Sequence, residues 1–319
     1  MRNNLQKHNT LLSICIPTFN RSEYLKNTLT SIVEQDGFNE RCEIVISDNH
    51  SADNTQFIVA EFINKFKNIR YFRNESNIGA ERNFLRLLSL GQGKYLKLHN
   101  DKACFHKDKL GALVGYLDSA DRDVIFILNE HTDFSEKGII ECNSFDEFVR
   151  VVSYWSTWMN GIIFKKSGYI NLKEKDRAVG SEIIQTDIMF NMLSLSGFSL
   201  IINEKLLYEQ DVKYKGGYNL FEVFICNYLG LYQDYLKAGI LCQKTYKKEK
   251  INLLKNFIFP WHTIVFLKKD RRFKFEITKA YNIIFKYYWY EPQLYLYPMY
   301  LLKIVFNKLF RIFRIYRKA

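Results

Sequence analysis

Through the first 130 residues, short apolar blocks alternate with segments of helical period. Blocks rich in Ile, Val, Leu, Tyr and Phe predict strands at 11–17, 42–48, 69–72, 94–99 and 123–128. Between them Leu25, Leu29, Ile32 and Val33 make one helical stripe, Ile58, Phe62 and Phe66 a second, and Phe84, Leu87 and Leu88 a third. Strands alternating with such helices predict βαβ units around a mostly parallel sheet. Ser22 and Asp53 are candidate N-caps, and Gly91 and Gly93 close the third helix. From 145 to 215 short elements surround a helix at 183–196, which Gly197 and a strand at 198–202 follow. Past Gly216-Gly217 the pattern is largely helical. The expected division is therefore an α/β domain over 1–215 and a helical region over 216–319.

Composition narrows the class. With 319 residues, 47% apolar and 25% charged, the chain has the makings of a large core and not of a disordered polymer. Its six cysteines lack C-x-x-C spacing, which argues against a zinc site or a disulfide framework and for a reducing cytosol. The N-terminus lacks a secretory apolar region, because the run Leu11–Ile16 is short and meets Pro17.

Charge changes the picture more. The net charge is +12, yet residues 1–236 hold 27 basic and 30 acidic side chains, and residues 237–319 hold 19 and 4. All the excess is C-terminal, in a stretch dense in aromatic and aliphatic residues. Over 301–319, Lys303, Asn307, Arg311, Arg314 and Lys318 recur at steps of three or four among Val305, Phe306, Leu309, Phe310, Phe313 and Tyr316. This predicts a basic amphipathic helix on an anionic membrane surface; a helix docked on the protein's own core is the alternative. A transmembrane span is excluded by six cations between Lys303 and Lys318, and a nucleic-acid groove fits the apolar density poorly. The expected location is cytoplasmic and peripheral on the inner face of the membrane.

Candidate chemistry collects at strand ends, where open α/β sheets bind ligands. Pro17-Thr18-Phe19-Asn20-Arg21 follows the first strand, and Ser47-Asp48-Asn49-His50-Ser51-Ala52-Asp53 the second. Asp48 there can accept hydrogen bonds from a base or ribose, or shape an Asx turn. Asn77-Ile78-Gly79-Ala80-Glu81-Arg82-Asn83 opens the third helix, where a guanidinium at Arg82 can fork onto a diphosphate or stay solvated. His99-Asn100-Asp101 ends the strand at 94–99.

Taken in this order, these motifs resemble the opening of family 2 glycosyltransferases of bacterial surface-polysaccharide type, over roughly residues 10–205. The resemblance implies the GT-A fold, a Rossmann-like, mostly parallel sheet flanked by helices. It implies a nucleotide-sugar donor held by Pro17, Thr18, Asn20, Arg21, Asp48, Asn77, Gly79, Arg82, Asn83, His99 and Asn100. Members usually carry Asp-x-Asp at residues 99–101, where Mn²⁺ or Mg²⁺ bridges the donor phosphates. Here His99 replaces the first carboxylate and Asp101 is the expected metal ligand; His99 is a ligand or a structural histidine. Gln185-Thr186-Asp187 resembles the Glu-Asp segment that supplies the general base, which implies Asp187 as catalytic, with Glu182 the rival. The same analogy sets Trp155–Gly161 beside the acceptor, expected to be a lipid-linked glycan of capsule, O-antigen or lipooligosaccharide synthesis. His262 reads as a satisfied structural histidine or a late-chain phosphate contact. Two other classes remain: a sugar-nucleotide nucleotidyltransferase, whose Gly-rich N-terminal motif is missing, and a non-catalytic membrane-binding protein, which leaves the strand-end carboxylates unexplained.

Overall fold

Ile, Val and Leu dominate the strand blocks because the strands are covered on both faces. In the computed structural model, which describes residues 10–131 and 137–302, β1 (Leu12–Thr18) is almost wholly buried and β2 (Cys42–Asp48) entirely so. These two pair in parallel, Leu12 against Cys42 through Thr18 against Asp48. Helix α1 (Ser22–Val33) makes the crossover and buries Leu25, Leu29 and Ile32. Helix α2 (Thr55–Lys65) leads to β3 (Ile69–Arg73), parallel to β2. Helix α3 (Ala80–Leu90) then carries the chain back to β4 (Tyr95–Leu98), parallel to β1 on its other side. Gly93 permits that return: a Cβ there would stand 2.7 Å from Ser13 N and 2.9 Å from the Leu12 carbonyl carbon.

The sheet is completed by β6 (Val124–Ile127), β7 (Gly138–Cys142), β8 (Ile162–Lys165) and β9 (Ser199–Asn203), in the order β3-β2-β1-β4-β8-β6-β9-β7. Strand β8 is antiparallel to β4 and β6, and β7 to β9. Between β4 and β6 run β5 (Ala103–Phe105) and α4 (Lys109–Ser119); β5 pairs with β10 (Leu207–Glu209). Helices α5 (Phe145–Val152), α6 (Lys166–Asn171) and α7 (Ile184–Ser196) finish the layers. The expected mostly parallel sheet flanked by helices is thus observed. Its connections reverse direction between β1 and β4, so the crevice at their carboxyl ends is where this architecture places a ligand.

Both helix starts differ from expectation, since the N-cap position of α2 is Asn54, one residue after Asp53. Ser22 is the first residue of α1, not its cap, and Asp53 serves both helices: its carboxylate accepts from Ser22 N at 2.8 Å and from Thr55 N at 3.1 Å. Burial opposes its charge, but the hydrogen bonds from Thr55 and Ser22 outweigh that and hold its carboxyl below the usual range. Asp53→Ala is expected to destabilise the fold by about 1–2 kcal/mol, the cost of a lost cap. Thermal denaturation measures this, and an unchanged midpoint would remove the capping role.

The contacts divide the chain between Val212 and Lys213. The second unit was expected to be helical, and it adds two strands, β11 (Lys215–Asn219) parallel to β12 (Phe273–Glu276). Its helices are α8 (Tyr228–Lys237), α9 (Gln243–Leu253), α10 (Phe259–His262) and α11 (Ala280–Tyr288). No helix among the described residues is long and apolar enough to cross a membrane. The basic helix expected over 301–319 lies outside the described residues beyond Leu302.

Candidate active site

At the switch point between β1 and β4 the loops leaving β1, β2 and β4 converge with the start of α3. They enclose a cleft of about 460 Å³ lined by Pro17, Thr18, Phe19, Arg21, Asn49, Asn77, Gly79, Ala80, Asn83, Phe84, Asn100, Asp101 and Met159. Eight residues expected at a donor site therefore meet there: Pro17, Thr18, Arg21, Asn77, Gly79, Asn83, Asn100 and Asp101. Phe84, read as part of a core stripe, faces the cleft instead.

Asp101 is the electrostatic centre. It is 2% exposed, its Oδ2 accepts from Thr18 Oγ1 at 3.0 Å, and its Oδ1 accepts from the Arg21 guanidinium at 3.1 Å. Its backbone carbonyl accepts from Thr28 in α1. Burial pushes its carboxyl above the usual range against the pull of Arg21 and Thr18. A carboxylate so placed favours a nearby cation. Arg21, whose side chain is 45% exposed, supplies one from the solvent side.

The other loops are held by amides. Asn49 Nδ2 donates to Asn77 Oδ1 at 2.7 Å, and Asn49 Oδ1 accepts from Asn74 Nδ2 and Ile78 N. Buried Asn83 accepts from Ser47 Oγ at 2.7 Å and donates to Ser47 O at 3.0 Å. Gly79, at φ +85°, turns the chain into α3 in a conformation that disfavours other residues.

Several expected site residues stand elsewhere. Asp48 is fully buried, with Oδ1 accepting from Ser51 N at 2.8 Å and Oδ2 from Tyr71 OH at 2.5 Å; it shapes its own loop. Asn20, at φ +52°, ties the first loop to the second through Ala52 N and Ser51 Oγ. Arg82 is exposed on α3 and does not line the cleft. His99 is fully buried against Phe105, and its Nε2 donates to Ala103 O at 3.0 Å. Asp187, 2% exposed in the first turn of α7, is gripped by Arg177, whose Nε and Nη2 donate to both its oxygens at 2.6–3.1 Å. Glu182 is exposed at φ +64°, its carboxyl raised by burial and by Glu81. Glu81, at the start of α3, accepts from Gly180 N, which brings the loop carrying Arg177 beside the helix that walls the cleft.

Lys97 escaped the sequence reading. It is fully buried in β4, and its Nζ donates to Leu98 O, Asn160 O and His99 Nδ1 at 3.0–3.1 Å, all neutral acceptors. Burial pushes its ammonium down to about 7. Between that value and its ordinary one, the unfolded chain binds the proton that the folded chain has released, so this lysine makes stability rise with pH from about 7 to about 10. Lys97→Met is expected to flatten the rise in melting temperature across that window. An identical pH profile in wild type and variant counts against the buried-lysine account.

Asn160 links this lysine to the cleft: its Oδ1 accepts from Asn100 N at 2.7 Å and its Nδ2 donates to Glu209 at 3.2 Å. Glu209 also accepts from Trp158 Nε1 at 2.9 Å. Beyond this wall a second hollow of about 550 Å³ is lined by His131, Trp155, Trp158 and Glu209 among others, with His131 stacked on Trp155 at 4.1 Å. Of the cleft's 13 lining residues, five were not expected at a donor site: Phe19, Asn49, Ala80, Phe84 and Met159. Phe19, Asn49 and Ala80 lie inside the strand-end motifs, and Met159 lies in the Trp155–Gly161 stretch expected beside the acceptor.

Comparison with known proteins agrees with this geometry. Residues 13–171 match the family described as "Glycosyl transferase family 2". The abequosyltransferase RfbV of Salmonella typhimurium is 44% identical over 110 residues, 34% of this chain and 33% of that protein. The chain thus spans about a third of the length of the curated relatives it matches. Among solved structures, TarS of S. aureus in complex with UDP-GlcNAc superposes with a TM-score of 0.59 at 17% identity, covering 87% of this chain and 80% of that one. A mannosyltransferase from Pyrobaculum calidifontis, in complex with GDP-Man and Mn²⁺, gives 0.51 at 14% identity, covering 82% and 81%. Those likenesses establish the GT-A fold. Through residues 13–171, this chain belongs to the family 2 glycosyltransferases.

Proposed function

We propose that the chain transfers a sugar from a nucleoside-diphosphate donor to a hydroxyl of a lipid-linked glycan during bacterial surface-polysaccharide synthesis, with inversion at the anomeric carbon. The observation that carries this reading is the meeting of the β1, β2 and β4 loops on one cleft whose buried carboxylate, Asp101, faces a half-exposed guanidinium, Arg21. Thr18, Asn77, Asn83 and Asn100 offer polar contacts to a nucleotide, and Phe84 and Met159 offer apolar ones. The names of the relatives support sugar transfer: RfbV is an abequosyltransferase, and TarS a poly(ribitol-phosphate) beta-N-acetylglucosaminyltransferase.

No group of three His, Cys, Asp or Glu gathers among the described residues, so a divalent cation would be held by Asp101 together with the donor's phosphates. When bound, it would neutralise charge on the departing diphosphate. The protein's own contribution is argued from its side chains. Arg21 meets the diphosphate from the solvent side. Asp187 takes the acceptor proton as the new C1–O bond forms and the bond to the diphosphate breaks, which requires Arg177 to release at least one carboxylate oxygen. The hollow walled by Trp155 and Trp158 gives sugar C–H faces an aromatic surface next to the cleft. The basic excess after residue 236 draws the chain to an anionic membrane on the cytoplasmic side, where lipid-linked acceptors lie.

A panel of UDP-, dTDP-, CDP- and GDP-sugars, including a nucleotide-linked abequose, tests the reading with Mn²⁺ or Mg²⁺ present. Slow release of nucleoside diphosphate and a raised melting temperature are expected with the true donor, since a ligand that binds only the folded chain stabilises it. Inertness toward every member of the panel, in both assays, rules the reading out.

A further inference from the structure

The second unit contains an apolar groove of about 390 Å³ between α10, α11 and the turn at 292–298. Ile258, Phe259, Ile284, Phe285, Leu294 and Pro298 line it. Its polar side chains already have partners: His262 Nδ1 bonds Tyr297 OH at 2.6 Å, Nε2 bonds Tyr281 OH at 3.2 Å, and Tyr295 OH donates to Trp289 O at 2.6 Å. A ligand there finds no free donor or acceptor on the histidine, so the groove suits hydrocarbon. Burial holds His262 below its ordinary pKa, consistent with an uncharged wall.

Around the groove the surface is apolar and aromatic. Tyr281, Phe285, Trp289, Tyr295, Leu296, Met299 and Leu302 are each 47–65% exposed. Isolated exposed apolar side chains are ordinary, but a run of them beside an apolar groove marks an interaction surface. Charge selects the partner. Over 277–302 the only acidic residue is Glu291, which faces Lys250 at 3.5 Å, while Lys279 and Lys286 are exposed at either end of the α11 surface. Tyrosine and tryptophan with lysine beside them suit the boundary between lipid headgroups and chains.

We propose that this face docks on an anionic lipid bilayer and that the groove admits the end of one acyl chain. The proposal deepens the membrane reading given above, and its test reads lipid contact without any transfer assay. Full-length protein is mixed with vesicles of phosphatidylglycerol and phosphatidylcholine whose chains carry bromine, and both flotation and tryptophan quenching are followed. Wild type is expected to float and to be quenched, and Trp289→Phe is expected to lose most of that quenching. Phe285→Glu and Tyr295→Glu alter exposed positions and are expected to keep a cooperative melt. They should retain binding at low salt but lose at least tenfold in the fraction bound at 0.5 M salt, where the Debye length is about 4 Å and screening leaves mainly apolar contacts. Wild-type-like binding and quenching in both variants would show that other residues hold the membrane, and would overturn the groove while sparing the membrane reading. Flotation of wild type without quenching at Trp289 overturns it as well. So does a lipid-free dimer that Phe285→Glu dissociates, since a second copy would then occupy the groove.

Discussion

Replacing Asp101 with alanine is expected to lower sugar transfer by about 10²- to 10³-fold, the scale seen when one preorganised electrostatic partner is lost from an active site. The reason lies in what Asp101 holds. Its two oxygens engage Thr18 and Arg21, the residues that carry the β1 loop into the cleft, and its carbonyl anchors Thr28. Alanine removes the buried negative charge, leaves Arg21 without its partner, and leaves the cleft without the carboxylate a cation needs. Asp101→Asn separates these effects, because an amide oxygen still accepts from Thr18 while the charge is gone. If charge is what matters, the asparagine variant falls nearly as far as alanine, and Mn²⁺ no longer raises the melting temperature in the presence of donor. Initial rates and Mn²⁺-dependent thermal shifts on both variants decide it. Full, metal-stimulated turnover in Asp101→Ala excludes the assignment.

The sheet was legible because its central strands are buried on both faces and so are written as apolar runs. The strands at 42–48 and 69–72 were placed within a residue of β2 and β3. What escaped were short pairings fixed by tertiary contact. β10 leaves two of its three residues exposed, and β11 contains Gly216-Gly217, which reads as a break. A Cβ on Gly216 would collide with the Lys274 carbonyl, so close approach to β12 accounts for that glycine.

Within the site, sequence placed polar residues at the correct strand ends but did not tell which face the ligand and which fasten loops. Thr18, Arg21 and Asp101 face the cleft; Asp48 and Asn20, equally polar and equally at strand ends, spend their hydrogen bonds on fastening loops, Asp48 to Ser51 N and Tyr71 OH and Asn20 to Ala52 N. That division depends on the partners three-dimensional folding supplies, such as Tyr71 for Asp48. Lys97 shows the opposite limit. A lysine between two leucines reads as the solvent-facing member of an alternation, yet all four residues of β4 are buried, so both faces of the strand are covered.

Asp187→Asn is expected to leave donor affinity near the wild-type value and to lower turnover by about 10²- to 10⁴-fold, the contribution of a positioned general base. The carboxylate is 2% exposed and bound on both oxygens by Arg177, so the folded chain presents it masked. A masked base cannot accept a proton. Arg177 sits on the loop between α6 and α7, which Gly180 fastens to Glu81 at the start of α3, and the proposed mechanism requires donor binding to draw its guanidinium off the carboxylate. On this account Arg177→Lys, which keeps the charge but loses the two-pronged grip, lowers turnover far less than Asp187→Asn. Single-turnover rates with saturating donor, measured alongside donor-induced thermal shifts, separate loss of chemistry from loss of binding. Glu182, exposed and raised by burial and by Glu81, is the competing base. Should Glu182→Gln abolish turnover with donor binding intact while Asp187→Asn remains active, the proton goes to Glu182, and the Arg177–Asp187 pair is a structural tie of α7.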